Sequence, residues 1–357
     1  MSEIVTYKCP NCGGPLTFDP EKQKYTCDYC LSEFVQKELN AIAPDTQKAE
    51  KVRVEAEADE AAQKTEAQPM LYNCPSCGAE IVTDDTTAAT FCYYCHNPVI
   101  LSGRVSGEFH PDYVIPFSVD KEKALEIFQS WMKKKRYVPK AFYSQDQIEK
   151  VSGVYFPYLM YSCQADGRLD ASADKLRVWV TGDYKYTETS SYSIHREGNM
   201  DIRYVPRNAL KKANRELAEG VFSYDMEKLK PFQMSYLSGF LAERRDMEES
   251  EFSEEVKKEV REFAESTLRN SIGSYDRVRV NNRSVDFRQE KWDYALLPVW
   301  TLTYNDQAKN KIYYFSINGE NGRVCGKLPV DMGRLMVLFA QIFFPILIVM
   351  LIVGYLI

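Results

Sequence analysis

The sequence is poor in the side chains that most enzymes work with. It has three histidines, His96, His110 and His195, and none stands in a recognisable nucleophile or metal pattern, so no catalytic residue is assigned and an enzyme finds little support. An excess of positive charge is also missing. Lys and Arg number 45 against 51 Asp and Glu, a formal net charge of -6, whereas a protein that tracks phosphates more often carries the opposite sign. Nucleic acid is therefore disfavoured from the outset. No basic and then apolar leader opens the chain, because Met1-Ser2-Glu3 runs straight into Tyr7-Lys8-Cys9; the expectation is no secretory signal and cysteines that meet a reducing compartment. Smallness is excluded too, since 357 residues with 45% hydrophobic and 13% aromatic side chains suffice for a packed core and more than one domain.

What the chain does have is paired cysteine. Eight of its 10 cysteines fall in Cys-x-x-Cys pairs, leaving Cys163 and Cys325 alone as expected buried thiols. Residues 7–34 overlay residues 72–99 at a constant offset of 65: Tyr-x-Cys-Pro-x-Cys-Gly recurs, and so does Cys-x-Tyr-Cys. Cys9, Cys12, Cys27 and Cys30 form one set, and Cys74, Cys77, Cys92 and Cys95 the other. Two such turns complete a tetrahedral shell of four thiolates, with Gly13 and Gly78 relieving crowding where the amides turn toward sulfur. Zinc suits that shell, two ions per chain, and a closed set of four is structural because catalysis needs a ligand position left free. Other readings of the pairs are weaker. Cys92-Tyr-Tyr-Cys95-His96 matches a c-type haem attachment pattern, yet Leu31 stands where His96 would in the first copy. Rubredoxin-like iron would also take four thiolates, but the interval between pairs is short, and thioredoxin-like redox work would want a βαβ pattern that neither copy has.

Between the copies, residues 36–69 are rich in Ala, Glu, Lys and Gln and lack aromatics, which predicts an exposed helix or a disordered tether; wholly helical, it would reach roughly 50 Å. From about His110 to Asp331 the pattern becomes mixed. A helix is expected over Asp120 to Arg136, with Asp120 as N-cap and Ala124, Leu125, Phe128, Trp131 and Met132 on one face. Ser144 and Gln147 suggest a capped short helix ending near Gly153, and further helices are expected at Asn208 to Glu219 and Ser253 to Asn270, the last with Val256, Val260, Phe263, Ala264 and Leu268 at helical spacing. Strands are expected at Val154–Tyr161, at Leu176–Thr181 and Tyr184–Tyr186 as a hairpin through Gly182-Asp183, and at Leu296–Tyr304, Lys311–Ile317 and Arg323–Leu328. The aromatic run Tyr155 to Tyr161 reads as a half-buried sheet face rather than a ligand surface, and His195 as an ordinary strand residue. Lys133 to Arg136, and Lys211, Lys212 and Arg215, read as solvated helix faces.

The last segment, Leu335 to Ile357, is apolar except for Gln341, with Pro345 and Gly354 inside it. A helix of that length spans about 34 Å and fits a bilayer crossing better than a core helix, which would carry a charged face. Pro345 is expected to kink it.

The cysteine pattern resembles the TFIIB-type zinc ribbons. More telling are Tyr113-Val-Ile-Pro-Phe117, Gly153-Val-Tyr-Phe-Pro157, Pro231-Phe-x-x-x-Tyr-Leu-x-Gly-Phe-Leu241, Ala295-Leu-Leu-Pro-Val-Trp300, and Asn318-Gly319 through Gly326-Lys-Leu-Pro329. Together with the ribbons they resemble the bacterial YdjG-like family of zinc-ribbon membrane proteins over nearly the whole chain. The resemblance implies a non-enzymatic membrane protein, with SPFH-domain or phage-shock-protein-A-like proteins as partners. It carries over the eight cysteines as metal ligands and no catalytic residue. The expected architecture is α+β: a zinc ribbon over 1–35, a linker over 36–69, a second ribbon over 70–103, a mixed helix and antiparallel-sheet domain over 107–331, and one transmembrane helix over 335–357. The expected function is a scaffold or adaptor at the cell membrane, anchored by a single span, with its N-terminal domains in the cytoplasm facing protein partners. The alternative is a nucleic-acid-binding ribbon protein tethered to the membrane. The second copy argues against that alternative, having Glu80, Asp84 and Asp85 between its Cys pairs and no basic residue, while Lys22 and Lys24 of the first are offset by Asp19 and Glu21. No small-molecule substrate is evident.

Overall fold

The computed structural model describes residues 4–42, 70–135, 137–144, 148–213, 220–306 and 311–356. In chain order the first copy holds β1 (Ile4–Val5), β2 (Leu16–Asp19), β3 (Lys24–Cys27), β4 (Glu33–Phe34) and α1 (Gln36–Ile42). The second copy holds β5 (Met70–Asn73), β6 (Glu80–Thr83), β7 (Thr87–Phe91) and β8 (Pro98–Leu101). There follow β9 (Tyr113–Val114), α2 (Lys121–Lys133), β10 (Ser152–Thr181), β11 (Tyr184–Asn208), β12 (Lys230–Pro231) and β13 (Leu241–Glu243). The chain closes with α3 (Glu249–Asn270), β14 (Arg277–Asp306), β15 (Lys311–Asn318), β16 (Val324–Gly326) and α4 (Met332–Leu356). The fold is thus mixed helix and sheet. The linker's residues 43–69 and the cap residue Gln147 lie outside the described residues, while the linker's first residues form α1.

Two compact units result, one from Met1–Pro157, Leu210–Arg245 and Leu296–Ile357, the other from Tyr158–Ala209 and Asp246–Ala295. In the first, the sheet order is β1-β8-β7-β13-β10-β14-β15-β16. One face of this sheet is closed by an aromatic core. Phe117 stacks on Phe240 with centroids 4.1 Å apart and meets Tyr155 and Trp300 edge-on at 5.0 and 5.2 Å. The glycines beside it serve close approach: a Cβ on Gly319 would lie 2.6 Å from the Phe117 ring, and one on Gly153 would lie 2.8 Å from Phe240. Each of the dispersed segments that carry the family resemblance therefore contributes to one packed centre, and their polar groups go to backbone: Trp300 Nε1 donates to the Val119 carbonyl at 2.9 Å, and Ser118 and Val119 donate to the Gly319 carbonyl. Against the expected half-buried face, Tyr155, Tyr158 and Tyr161 are fully buried. Helix α2 forms as expected, with Asp120 accepting from the Lys123 amide at 2.7 Å and Ala124, Phe128 and Met132 buried.

In the second unit, β10 and β11 form one long antiparallel hairpin, paired from Tyr158 with Asn208 to Thr181 with Tyr184, and turned at Gly182, whose φ is 59°. The hairpin expected at 176–186 is present, but its arms run to 30 and 25 residues. Leu169, Ala171 and Ala173 point inward while Asp170, Ser172 and Asp174 point out, the period of a one-sided sheet. Helix α3 lays Phe252, Val256, Val260, Ala264 and Leu268 on that inner face. Gly167 allows this packing, since a Cβ there would meet Leu268 at 2.7 Å. Phe263, read from spacing as part of the buried stripe, is instead exposed, one position off the face that packs. The expected helix at Asn208 to Glu219 is corrected in its first half: Asn208 ends β11 and the next residues form a turn, with the Ala213 amide on the Leu210 carbonyl at 3.1 Å. Residues 214–219 lie outside the described residues.

Candidate metal centres

Each Cys-x-x-Cys pair sits on a tight turn that closes one hydrogen bond back to its first cysteine. Gly13 and Gly78 donate to the Cys9 and Cys74 carbonyls at 2.8 Å, both with φ of 74°. Leu31 and His96 do the same for Cys27 and Cys92, at 2.8 and 2.9 Å, with φ of 59° and 57°. All four turns thus end in the left-handed region, where glycine is at ease and a side chain is strained. His96 occupies the place of Leu31 as a turn residue, which accounts for the haem-like spelling of that pair without a haem.

These turns bring the eight cysteines of the sequence analysis together as two sets of four. In each set the sulfurs all lie within 4.8 Å of one another. Cys9 and Cys30 are 3.5 Å apart and Cys12 and Cys27 3.4 Å; Cys74–Cys95 and Cys77–Cys92 are each 3.7 Å. Zinc held at about 2.3 Å from each sulfur of a tetrahedron requires sulfur separations of about 3.8 Å. The sets therefore fit a metal ion such as zinc in both donor type and spacing. The thiols also show why a cation belongs there: the Ser32 side chain and backbone hold Cys30 down to about 6. Cys12 is pushed up to about 12, where the Gly14 backbone pulls the other way and the bonds with Cys27 and Cys30 prevail. Four such neighbours ionise together only against added positive charge.

The two unpaired cysteines divide. Cys163 is buried, and burial pushes its thiol up. Cys325 is half-buried, a correction to its reading as a core thiol. His195 lies in β11 as expected, with Nδ1 2.6 Å from Asp170 and Nε2 3.5 Å from Glu197, and these bonds raise its pKa.

The second copy is joined to the large sheet by its strands. Strands β7 and β8 pair with each other, β8 pairs with β1, and β7 pairs with β13, so the second set of cysteines is continuous with the large sheet. The first copy keeps a small sheet of its own, β2-β3-β4, held by Ser238 Oγ on the Leu16 carbonyl at 2.5 Å and by the Phe18 amide on the Ser238 carbonyl at 3.0 Å. The signal available in the sequence was the short, apolar run Pro98-Val-Ile-Leu101, all four residues buried, which has no counterpart in the first copy. At the C-terminus, Met332–Gly354 is a helix of 23 residues long and apolar enough to cross a membrane, with a stretch of mean hydropathy 2.8 in which no residue is buried.

Neither a protein-family model nor a solved structure matches the chain. Over 339 residues, 95% of this chain and 94% of the relative, it is 30% identical to a protein of Bacillus subtilis (strain 168) that bears the name "Uncharacterized protein YdjG".

Proposed function

The chain belongs to the YdjG family, and we propose that it is a membrane-anchored zinc-ribbon scaffold or adaptor, not an enzyme, which presents cytoplasmic domains to protein partners. The observation that carries this reading is the joint presence of two closed four-cysteine sets and an apolar C-terminal helix whose apolar stretch has no buried residue. Four thiolates saturate zinc and leave no position for substrate, so each ion has a structural role. An apolar helix of 23 residues whose apolar stretch is exposed along its length is suited to lipid. Arg323, Lys327 and Arg334 lie on the N-terminal side of the apolar run from Leu335, which favours a single span with the N-terminal domains in the cytoplasm. The same orientation keeps the cysteines reduced. Exposed Tyr29, Tyr93 and Tyr94 at the turns between paired cysteines offer contact surface to a protein partner, with SPFH-domain or phage-shock-protein-A-like proteins as the candidates.

Truncation after Gly333 tests the anchor: the shortened chain is expected in the soluble fraction with about two zinc ions still bound, as read by metal analysis. A shortened chain that pellets with membranes after an alkaline wash defeats the anchoring, and iron or a single zinc defeats the ribbons. The adaptor role is tested by purifying the full chain from membranes with its partners; one protein enriched in stoichiometric amount, and lost when Tyr93 and Tyr94 are changed to Ser, is the expected result. The exposed tyrosines also favour a second reading, stacking on the bases of a single strand. Lys22 and Lys24 both face Glu33, at 2.6 and 3.1 Å, which weakens that reading. Salt-dependent binding of an oligonucleotide, abolished by the same tyrosine changes, would establish it instead.

A further inference from the structure

The sheet of the first unit has two faces, and the aromatic core fills only one. Along β10, Tyr155 enters that core while Val154 and Phe156 point to the opposite side. Strand β13 repeats the pattern with Leu241 and Glu243, and β14 and β15 with Val299, Thr301, Tyr314 and Ser316. The register pairs Val154 with Leu241, Thr301 with Ser316, and Thr303 with Tyr314, so these side chains share a face. There they line a cavity of about 360 Å³, within the roughly 300–1,000 Å³ of small-molecule sites.

Besides neutral hydroxyls such as those of Thr87, Thr301 and Ser316, two charged side chains, Glu243 and Lys212, line this cavity. Glu243 takes Lys212 Nζ on Oε1 at 2.9 Å, while its Oε2 is buried with no partner among the described residues. Among the described residues Lys212 is also the partner of the exposed Asp84, at 3.3 Å, so its charge is not given to Glu243 alone. A buried carboxylate oxygen without a donor is costly. A ligand that relieves it must bring a donor and positive charge, and the walls require the rest of it to be apolar.

We infer that this cavity binds an apolar amine, with its ammonium on Glu243 Oε2 and its hydrocarbon body on Val154, Phe156, Leu241 and Tyr314. An anionic molecule of the same shape brings no donor to Glu243 Oε2, so specificity here comes from the unpaired acceptor rather than from the apolar walls.

The test uses the full chain in lipid nanodiscs, titrated with 1-naphthylmethylamine and with 1-naphthoic acid. Binding is read by saturation-transfer NMR against protein-free nanodiscs. The expected result is saturable amine binding at least about tenfold tighter than the acid. Glu243→Gln keeps the shape and is expected to bring the two ligands within about threefold of each other. Phe156→Trp fills the cavity and is expected to weaken the amine at least about tenfold. Thr301→Leu, at a half-buried position of the same face, repeats the filling should the Trp variant fail to fold. Equal binding of acid and amine by the unaltered chain overturns the inference. So does amine binding that survives Glu243→Gln or both filling changes unaltered, since the amine would then sit elsewhere on the protein.

Discussion

The two cysteine-rich copies share spacing, turn geometry and sulfur arrangement, yet the fold uses them differently. The first has a three-stranded sheet of its own, and side chains fasten it to the 234–238 segment: Tyr25 donates to Ser235 Oγ at 2.9 Å, and Phe18 meets Tyr236 edge-on at 5.5 Å. The second is divided, with β5 and β6 paired apart from the large sheet and β7 and β8 within it. Its β7 is a neighbour of β13, which pairs in turn with β10 beside the aromatic core. A metal set that is local in sequence thus carries local structure in one copy and supports the main sheet in the other. Similar motifs predict similar chemistry, but the strands that continue from them decide how much of the fold depends on that chemistry.

The largest effect that separates the copies is expected from removing ligands. Metal binding to structural zinc sites is worth on the order of 10–16 kcal/mol in small peptides, more than the whole stability of most domains. Replacing Cys74 and Cys77 by Ser is therefore expected to loosen β13 and the adjoining part of β10, while replacing Cys9 and Cys12 loosens only β2, β3 and β4. Hydrogen exchange resolved by peptide distinguishes the two, and metal analysis should show one ion lost in each. Equal, local exchange in both variants would show that the second metal set does not support the main sheet and remove the contrast.

How much of this was legible in the sequence follows from the range of the interactions. The ligand sets, the capped α2, the hairpin turn at Gly182 and the apolar tail are set by residues close in sequence, and periodicity or spacing reveals them. The pairing of β7 with β13 joins residues more than 150 positions apart through the backbone of small side chains such as Ala89 and Ala242, and no local pattern encodes it. The full length of β10 and β11 was hidden for a related reason. Residues such as Asp166, Gly167, Asp170 and Ser172 have low strand propensity, and α3 packed on the alternate positions overrides it. The cavity was invisible because Val154, Phe156, Leu241 and Tyr314 meet only when four strands are in register.

A smaller effect is expected at the fastening of the first copy. The Tyr25 hydroxyl is buried, which pushes its pKa up, and it bonds both Ser235 and Gln36. Tyr25→Phe leaves the ring packing and removes these bonds, an expected loss of about 1–2 kcal/mol. Faster exchange should be confined to β2 and β3. The second copy has Thr90 at the corresponding position, so exchange in β7 should not change. Acceleration there would mean that the copies are coupled more tightly than the short pairing of β1 with β8 implies.

The turns themselves should behave alike in both copies, because their geometry does not depend on what lies beyond them. Leu31 is 81% exposed and has φ of 59°, so its side chain loses little by removal and its backbone is strained. Leu31→Gly and His96→Gly are each expected to raise stability by about 0.5–1 kcal/mol, the relief of left-handed strain less the extra entropy of glycine when unfolded. Thermal unfolding of the two variants should show shifts of the same sign and similar size. Opposite signs would indicate that the second turn is strained by its sheet rather than by its own φ.

The smallest expected difference is in acid. Hydrogen bonds from Lys22 and Lys24 hold the Glu33 carboxyl below its ordinary value of 4.5. A folded value below the unfolded one means that the unfolded chain binds the proton more readily. The contribution of Glu33 is therefore whole above about 4.5 and is lost as the pH falls through the depressed folded value. All three side chains are exposed, so solvent screens the effect and salt reduces it. The second copy has Pro98 in place of Glu33 and carries no such group. Carboxyl NMR should show Glu33 titrating below the other exposed glutamates, and in 1 M salt that gap should narrow. Acid releases metal from both copies by protonating thiolates, so the informative quantity is the difference between the unaltered chain and Glu33→Gln. That difference should appear in the exchange of β3 and β4 and vanish in β5 and β6; a titration of Glu33 at its ordinary value would show that the lysines do not hold it in solution.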